Sequence, residues 1–509
     1  MDDLTPRLRA VCDLDVATVR EQAGRHEYDG QIQDLSPDGV RRGLAGLAAA
    51  GAAGAPEPDP HDEAHITAAA RAMRVSLGDL KLHRSNPLVH LSAMDLACYD
   101  REYAPAAQRS AARMAQLRGW PDAADAAVAA LDRVSAEVAT ALLPAAHALA
   151  EGIPADAGEA VRARAVAAQT RLAGHLEHAS RHSAAPTALG SALAGLMGSG
   201  EAADVDLGRL ATQADAERDR LRSLLAESCA EIDPSRAPLE LARDLVRDHP
   251  GTDGLLGAAR HWTERAIEFT REHDLAPYHD GECLVGYAPA ARRWGTAMMA
   301  ATAPGEPECP SWYHITPPDP SWPARQIEDW LALFSATTLP AITVHEVAPG
   351  HFSHSRAIRR VRSPVRRVLH SPAFVEGWAH YAEEVCVEEG FCREDPRFAI
   401  GIWLEALVRV TRLACAIGVH TAGMSIAEAA RRFENDTQLA GRAALAEAQR
   451  AGYDPTYGRY TWGKLWIMQL RDRAREAWGS GFSLARFHRA MLELGAPPLG
   501  LLGTAVERG

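Results

Sequence analysis

A proline and a glycine separate two histidines in His345-Glu346-Val347-Ala348-Pro349-Gly350-His351, and this placement limits how the surrounding chain can fold. The familiar zinc-protease pattern sets two histidines four residues apart on one helical face, with a glutamate after the first as general base. Here the separation is six residues. A helix turns about 100° per residue, so six residues rotate the second imidazole roughly 120° away from the first. Proline removes a backbone donor and kinks a helix, while Gly350 can take up conformations closed to other residues. The pattern predicts a bulge that absorbs the two extra residues and lets His345 and His351 converge. His354, three residues beyond His351, is a rival second or auxiliary ligand.

A catalytic zinc commonly has three protein ligands and one open position, so the third ligand is expected from another segment. Glu376 is the best candidate. Ser371-Pro372 reads as an N-cap and first helical residue, which puts Glu376, His380 and Glu383 or Glu384 on one face of the following helix. Glu376 then binds metal, and His380 and its neighbours contact the ligands or the substrate. Glu346 is the expected general base, taking a proton from a metal-activated water. The competing reading is purely structural, since a lone histidine is usually packing or surface and Pro-Gly is often just a turn. The joint pattern favours the metal. Apolar Ala341-Ile342-Thr343-Val344 leads into His-Glu, histidine returns, and a glutamate follows on a second helix. One divalent ion is expected, zinc or another metal of similar preference.

At these residues the chain resembles a bacterial family of predicted zinc hydrolases known as domain of unknown function 885, itself similar at a distance to all-helical gluzincin peptidases. Its hallmarks are His-Glu-x-x-Pro-Gly-His and Glu-Gly-Trp-Ala-x-Tyr, and both are intact here. Gly24-Arg25-His26-Glu27-Tyr28-Asp29-Gly30 resembles the family's opening, and Tyr460-Thr461-Trp462-Gly463-Lys464 with Phe487-His488-Arg489-Ala490-Met491-Leu492 resembles its close. The resemblance implies that Tyr460 donates to the oxyanion. His420 is a further catalytic candidate, and Arg412 or Lys464 is expected to hold a substrate carboxylate. Four departures stand out: His354 replaces a usual Gln, His380 an apolar residue and Ala416 an Asp, and Asp454-Pro455-Thr456-Tyr457 replaces a Pro-Gly-Gln-Ala run. Ligands and base are kept while pocket residues change.

The formal charge of −13 argues against a nucleic-acid binder or a polybasic membrane protein. Eight scattered cysteines without a C-x-x-C pair suit reduced thiols rather than a disulfide framework. The acidic opening Met1-Asp2-Asp3-Leu4 lacks the apolar core of a signal peptide, and no run approaches ~18 apolar residues, so a cytoplasmic protein without a membrane span is expected.

Helical periodicity dominates the rest. The fold class expected is mainly α, a large metallopeptidase-like unit whose two halves, residues 1–274 and 275–509, flank a cleft. Helices are expected from residue 105 to 151 with a break at Gly119-Trp120-Pro121-Asp122, and from about 155 to 182, where His175, His178 and His182 read as a polar face. The glycines of 190–200 suggest a flexible connection or lid. Between Leu275 and Trp322, proline and aromatic residues suggest a small antiparallel β element. Its Tyr313–Thr316 segment either pairs with an extended substrate, making Tyr313 a substrate contact, or braces the metal helix. The arginines from Arg356 to Arg367 read as a solvated or ion-paired face.

The leading functional expectation is hydrolysis of an amide bond in a short peptide or small molecule. The alternatives are a small-molecule metalloenzyme with lyase, cyclisation or rearrangement chemistry, and a non-catalytic helical scaffold.

Overall fold

The computed structural model describes residues 4–293 and 295–509, and it is mainly helical. The largest apolar core is built around the helices Pro372–Glu388, Arg397–Thr421 and Arg459–Trp478. It includes Phe374, Trp378, Leu404, Ile467 and Phe487, and reaches back past residue 275 to Leu193 and Leu225. Among the described residues no single helix is long and apolar enough to cross a membrane.

Two helical expectations are corrected. Residues 106–130 form one continuous helix, Ala106–Ala130, that runs through Pro121. Trp120 and Ala124 are wholly buried there and Trp120 donates to the Met94 carbonyl, so tertiary packing overrides the local breaker. The glycine-rich stretch is not a lid. It contains the helix Ala192–Ser199, whose Leu193 and Met197 are anchored in the main core.

The small sheet consists of β1 (Cys283–Tyr287), β2 (Ala297–Ala300) and β3 (Ser311–Ile315), in the order β1-β3-β2. The antiparallel expectation is half right. The chain lays β2 at the far edge before β3 fills the gap, so β3 meets β2 antiparallel and β1 parallel. With both flanks of β3 occupied, Tyr313–Ile315 has no edge to offer a substrate strand. The Tyr313 side chain is wholly buried and its hydroxyl approaches Thr343 Oγ1 at 3.4 Å, which makes it a brace for the first histidine helix rather than a substrate contact.

That helix, Leu339–Glu346, has Pro340 in its first turn and is buried along its whole length. It ends at Glu346, and a second helix, His351–Ile358, resumes at the second histidine. The expected bulge is therefore a full interruption. The Gly350 amide donates to the Val344 carbonyl, six residues back, and the Ser353 amide does the same to Val347. Two residues more than a helical bond spans are thus taken up in this wider turn. Gly350 is required because a Cβ there would lie 1.8 Å from the His345 carbonyl oxygen. The Trp378 indole closes the arrangement by donating to the Pro349 carbonyl at 3.0 Å.

A second close approach explains two other motif glycines. The helices Pro372–Glu388 and Arg459–Trp478 cross at Gly377 and Gly463, where a Cβ on Gly377 would meet Gly463 backbone at 2.6 Å. A Cβ on Gly463 would lie 2.0 Å from the Ala373 carbonyl. Gly463→Ala is expected to destabilise the fold by about 1–3 kcal/mol through overpacking, read as a lower midpoint in chemical denaturation.

Candidate metal centre

His345 and His351 come off the two sides of the Pro-Gly interruption with ring centroids 4.8 Å apart and planes nearly perpendicular. Glu376 enters from the Pro372–Glu388 helix, which Ser371 caps at its N-terminus through the Phe374 amide. Its Oε2 lies 3.5 Å from His345 Nε2 and 3.4 Å from His351 Nε2. A tetrahedral zinc with bonds of about 2.0–2.1 Å holds its donor atoms roughly 3.4 Å apart, so these spacings fit one ion among the three residues. Donor atoms of His345, Glu346 and His351 also fall within 4.8 Å of one another. Glu346 Oε2 is buried with no hydrogen-bond partner, as expected of a base awaiting a water.

The electrostatics also favour a cation. Burial and Arg409 both push the His345 imidazolium down, but Glu376 and Glu383 outweigh them and raise its pKa to about 9. Burial raises the Glu376 carboxyl, and contacts with His345 and His351 overcome this to hold it well below the ordinary range. These groups together attract a positive charge at the point where they meet. A divalent ion bound there would compete with the proton on His345.

Behind the two imidazoles lies a buried carboxylate. Glu383 Oε1 accepts from His345 Nδ1 at 2.6 Å, which leaves Nε2 as the ring nitrogen that faces Glu376 and would bind a metal. Glu383 is wholly buried and also contacts His380 Nδ1 at 3.1 Å and both terminal nitrogens of Arg409 at 3.1 and 3.3 Å. Its carboxyl is held far down: burial alone would raise it, and Arg409, His380 and His345 reverse that. Glu383→Gln is expected to weaken metal affinity about 10- to 100-fold with the fold intact, measured by competition against a chromogenic chelator.

Tyr460 stacks on His345 with ring centroids 6.3 Å apart and planes within 24°. Among the described residues no protein group hydrogen-bonds its hydroxyl, although the ring is largely buried. Arg412 lies over the same ring at 5.1 Å and is paired with Glu447.

Other expected site residues sit elsewhere. Lys464 is fully buried with its ammonium between Glu217 at 3.0 Å and Glu384 at 2.5 Å, so it ties helices together and does not face a substrate. His420 donates through Nε2 to the Ala451 carbonyl, 2.7 Å away, packing the end of the Arg397–Thr421 helix against Gly441–Tyr453. His380 is buried against Glu383 rather than exposed to substrate, and burial pushes its pKa down to about 4. His354 is no ligand: its Nε2 meets the Gly495 carbonyl at 3.0 Å and its ring packs edge-on against Phe374. The arginines that follow are answered by acids, Arg356 by Asp280 and Glu308, Arg360 by Asp280, and Arg366 by Asp59 and Asp62.

Sequence reasoning did not single out Arg409 or Glu405. A signal was present, because Glu405, Arg409 and Arg412 recur at helical spacing in the otherwise apolar Phe398–Val419 run, and charges in such a run need partners.

The family model described as "Bacterial protein of unknown function (DUF885)" matches residues 18–506. The chain belongs to this family. Two solved structures share its fold. One, from Shewanella oneidensis and provisionally called a lipoprotein of unknown function, is 19% identical over 98% of this chain and 97% of its own, with a TM-score of 0.76. The other, from Colwellia psychrerythraea and likewise provisionally called a lipoprotein, is 16% identical over 99% of both chains, with a TM-score of 0.76. No curated protein sequence matches the chain. The family match spans both the histidine pair and Glu376, so the site is part of the matched region rather than an addition to it.

Proposed function

We propose that this protein is a mononuclear zinc-dependent hydrolase of an amide bond, acting on a short peptide or a small-molecule amide. The observation that supports it most is the convergence of two imidazoles on one Glu376 oxygen at 3.4 and 3.5 Å, beside a carboxylate, Glu346, with an unengaged oxygen. When bound, the metal supplies Lewis acidity toward the carbonyl and toward the attacking water. His345, His351 and Glu376 hold it, and Glu383 fixes the tautomer of His345. Glu346 accepts the proton of the water as it attacks and returns a proton to the leaving amine nitrogen. Tyr460, with its hydroxyl unclaimed, donates to the carbonyl oxygen as charge develops there.

The altered pocket residues do not argue for different chemistry at the metal. His354 and His380 point into packing and into Glu383, so neither adds a ligand. All eight cysteines are free thiols, which suits a reducing compartment such as the cytoplasm.

The test is turnover of a panel of acylated dipeptides and simple N-acyl amino acids by the zinc-loaded protein. Hydrolysis that disappears with metal chelation and returns with zinc supports the reading. Full metal occupancy with no amide turnover would move the function to another reaction class.

A further inference from the structure

Four guanidinium groups surround one tyrosine. The central carbons of Arg409, Arg412, Arg450 and Arg459 lie 5.9, 5.1, 5.9 and 5.7 Å from the centre of the Tyr460 ring, which also stacks on His345. Cation–π attraction accounts for one such neighbour at modest gain, but four like charges around one ring repel unless something negative answers them. Arg409 is answered by Glu383. The other three share two carboxylates: Arg412 pairs with Glu447, while Arg450 and Arg459 both pair with Asp454. Glu405, whose Oε2 lies 3.5 Å from Arg409 Nη1, brings a fourth carboxylate to the cluster.

Two guanidinium donors in the cluster are still uncommitted. Arg412 commits Nε and Nη2 to Glu447, and Arg450 commits Nε and Nη2 to Asp454. Nη1 of each has no protein partner among the described residues, and neither atom is sealed from solvent. The side chains of Arg412, Arg450 and Arg459 are 13%, 20% and 18% exposed, and the Tyr460 ring they surround stacks on His345. The usual structural role of an ion-paired arginine is met by the forked bonds to Glu447 and Asp454, and it leaves these two nitrogens unexplained.

We infer that Arg412 and Arg450, with Arg459 behind them, form a carboxylate-binding subsite next to Tyr460, so that the substrate carries an anionic group a short distance from the scissile amide. The inference rests on the hydrolase reading for the word substrate, but the subsite itself is a binding property. The carboxylate has two possible sources, the free end of a peptide or an acidic side chain. Either would accept from the free Nη1 atoms.

The experiment uses the full-length protein carrying Glu346→Gln, so that bound peptide is not consumed, and isothermal titration calorimetry. The probes are acetyl-alanyl-phenylalanine, its C-terminal amide, and acetyl-glutamyl-phenylalanine amide. One or both carboxylate peptides are expected to bind about 10- to 100-fold more tightly than acetyl-alanyl-phenylalanine amide, and which of them does so identifies the source. Arg450→Gln leaves Asp454 still paired with Arg459, so the fold is kept while the preference should fall to near parity. Arg412→Lys, which keeps a charge opposite Glu447 but loses the fork, should retain only part of it. Equal binding of the three peptides, binding of none, or a preference unchanged in Arg450→Gln would overturn the subsite. Turnover by the wild-type protein separates the two readings. Equal hydrolysis of all three peptides keeps the hydrolase and removes the subsite, whereas carboxylate-selective binding without any turnover does the reverse.

Discussion

Glu376→Ala and His345→Ala are each expected to lower bound zinc from about one equivalent to near zero at micromolar metal, read by elemental analysis after gel filtration. Both Nε2 atoms lean on the same Glu376 oxygen, so deleting that carboxylate removes a ligand and also the anion that offsets the ion's charge. Loss of His345 takes away a ligand and leaves Glu383 facing Arg409 and His380 only. A circular dichroism spectrum like that of the wild type in both variants would show that the metal, not the fold, was lost. Retention of a full equivalent of zinc by Glu376→Ala would refute the three-residue centre, since no other described carboxylate touches both imidazoles.

Glu346→Gln is expected to keep the metal and lose the reaction. General-base removal costs about 10²- to 10⁴-fold in kcat, and the amide side chain is nearly the same size, so packing around a residue only 8% exposed should hold. Zinc content near one equivalent together with a fall of that size in kcat would assign Glu346 to proton transfer. An unchanged kcat would mean that some other group moves the proton, and the proposed mechanism would fail at that step.

The cluster of His345, His351 and Glu376 was legible because its residues are few in type and sit in two short stretches. A histidine, a glutamate and a Pro-Gly pair constrain the backbone through rules that act locally, so the convergence of His345 and His351 could be argued from spacing alone. Glu376 followed from the cap at Ser371 and the need for a third ligand. The helical class followed in the same way from periodicity.

What failed was set by distant contacts. Lys464 looked available, yet Glu217 and Glu384 approach it from two other helices, and nothing near residue 464 announces them. Tyr313 lies in a strand as expected, but whether that strand is an edge depends on the order in which the others are laid down. His420 and His354 were attractive only because histidine is a reactive residue, and each is engaged by a main-chain carbonyl contributed from elsewhere in the chain. Pro121 signals a break that a fully buried Trp120 overrides. The arginine ring around Tyr460 draws on residues 409 to 459, a span too long for any periodic pattern to mark.

The contact between Gly377 and Gly463 has a bearing on how such a protein can diversify. Glu376 is the immediate neighbour of one glycine, and Tyr460 stands one turn before the other. Two main chains pressed together work as a gauge block, setting the reach from carboxylate to phenol without any side chain acting as a shim. Mutations lining the surrounding walls can therefore retune what enters while that reach stays the same, so selection for new substrates should leave both glycines untouched and accumulate around Arg412 and Arg450.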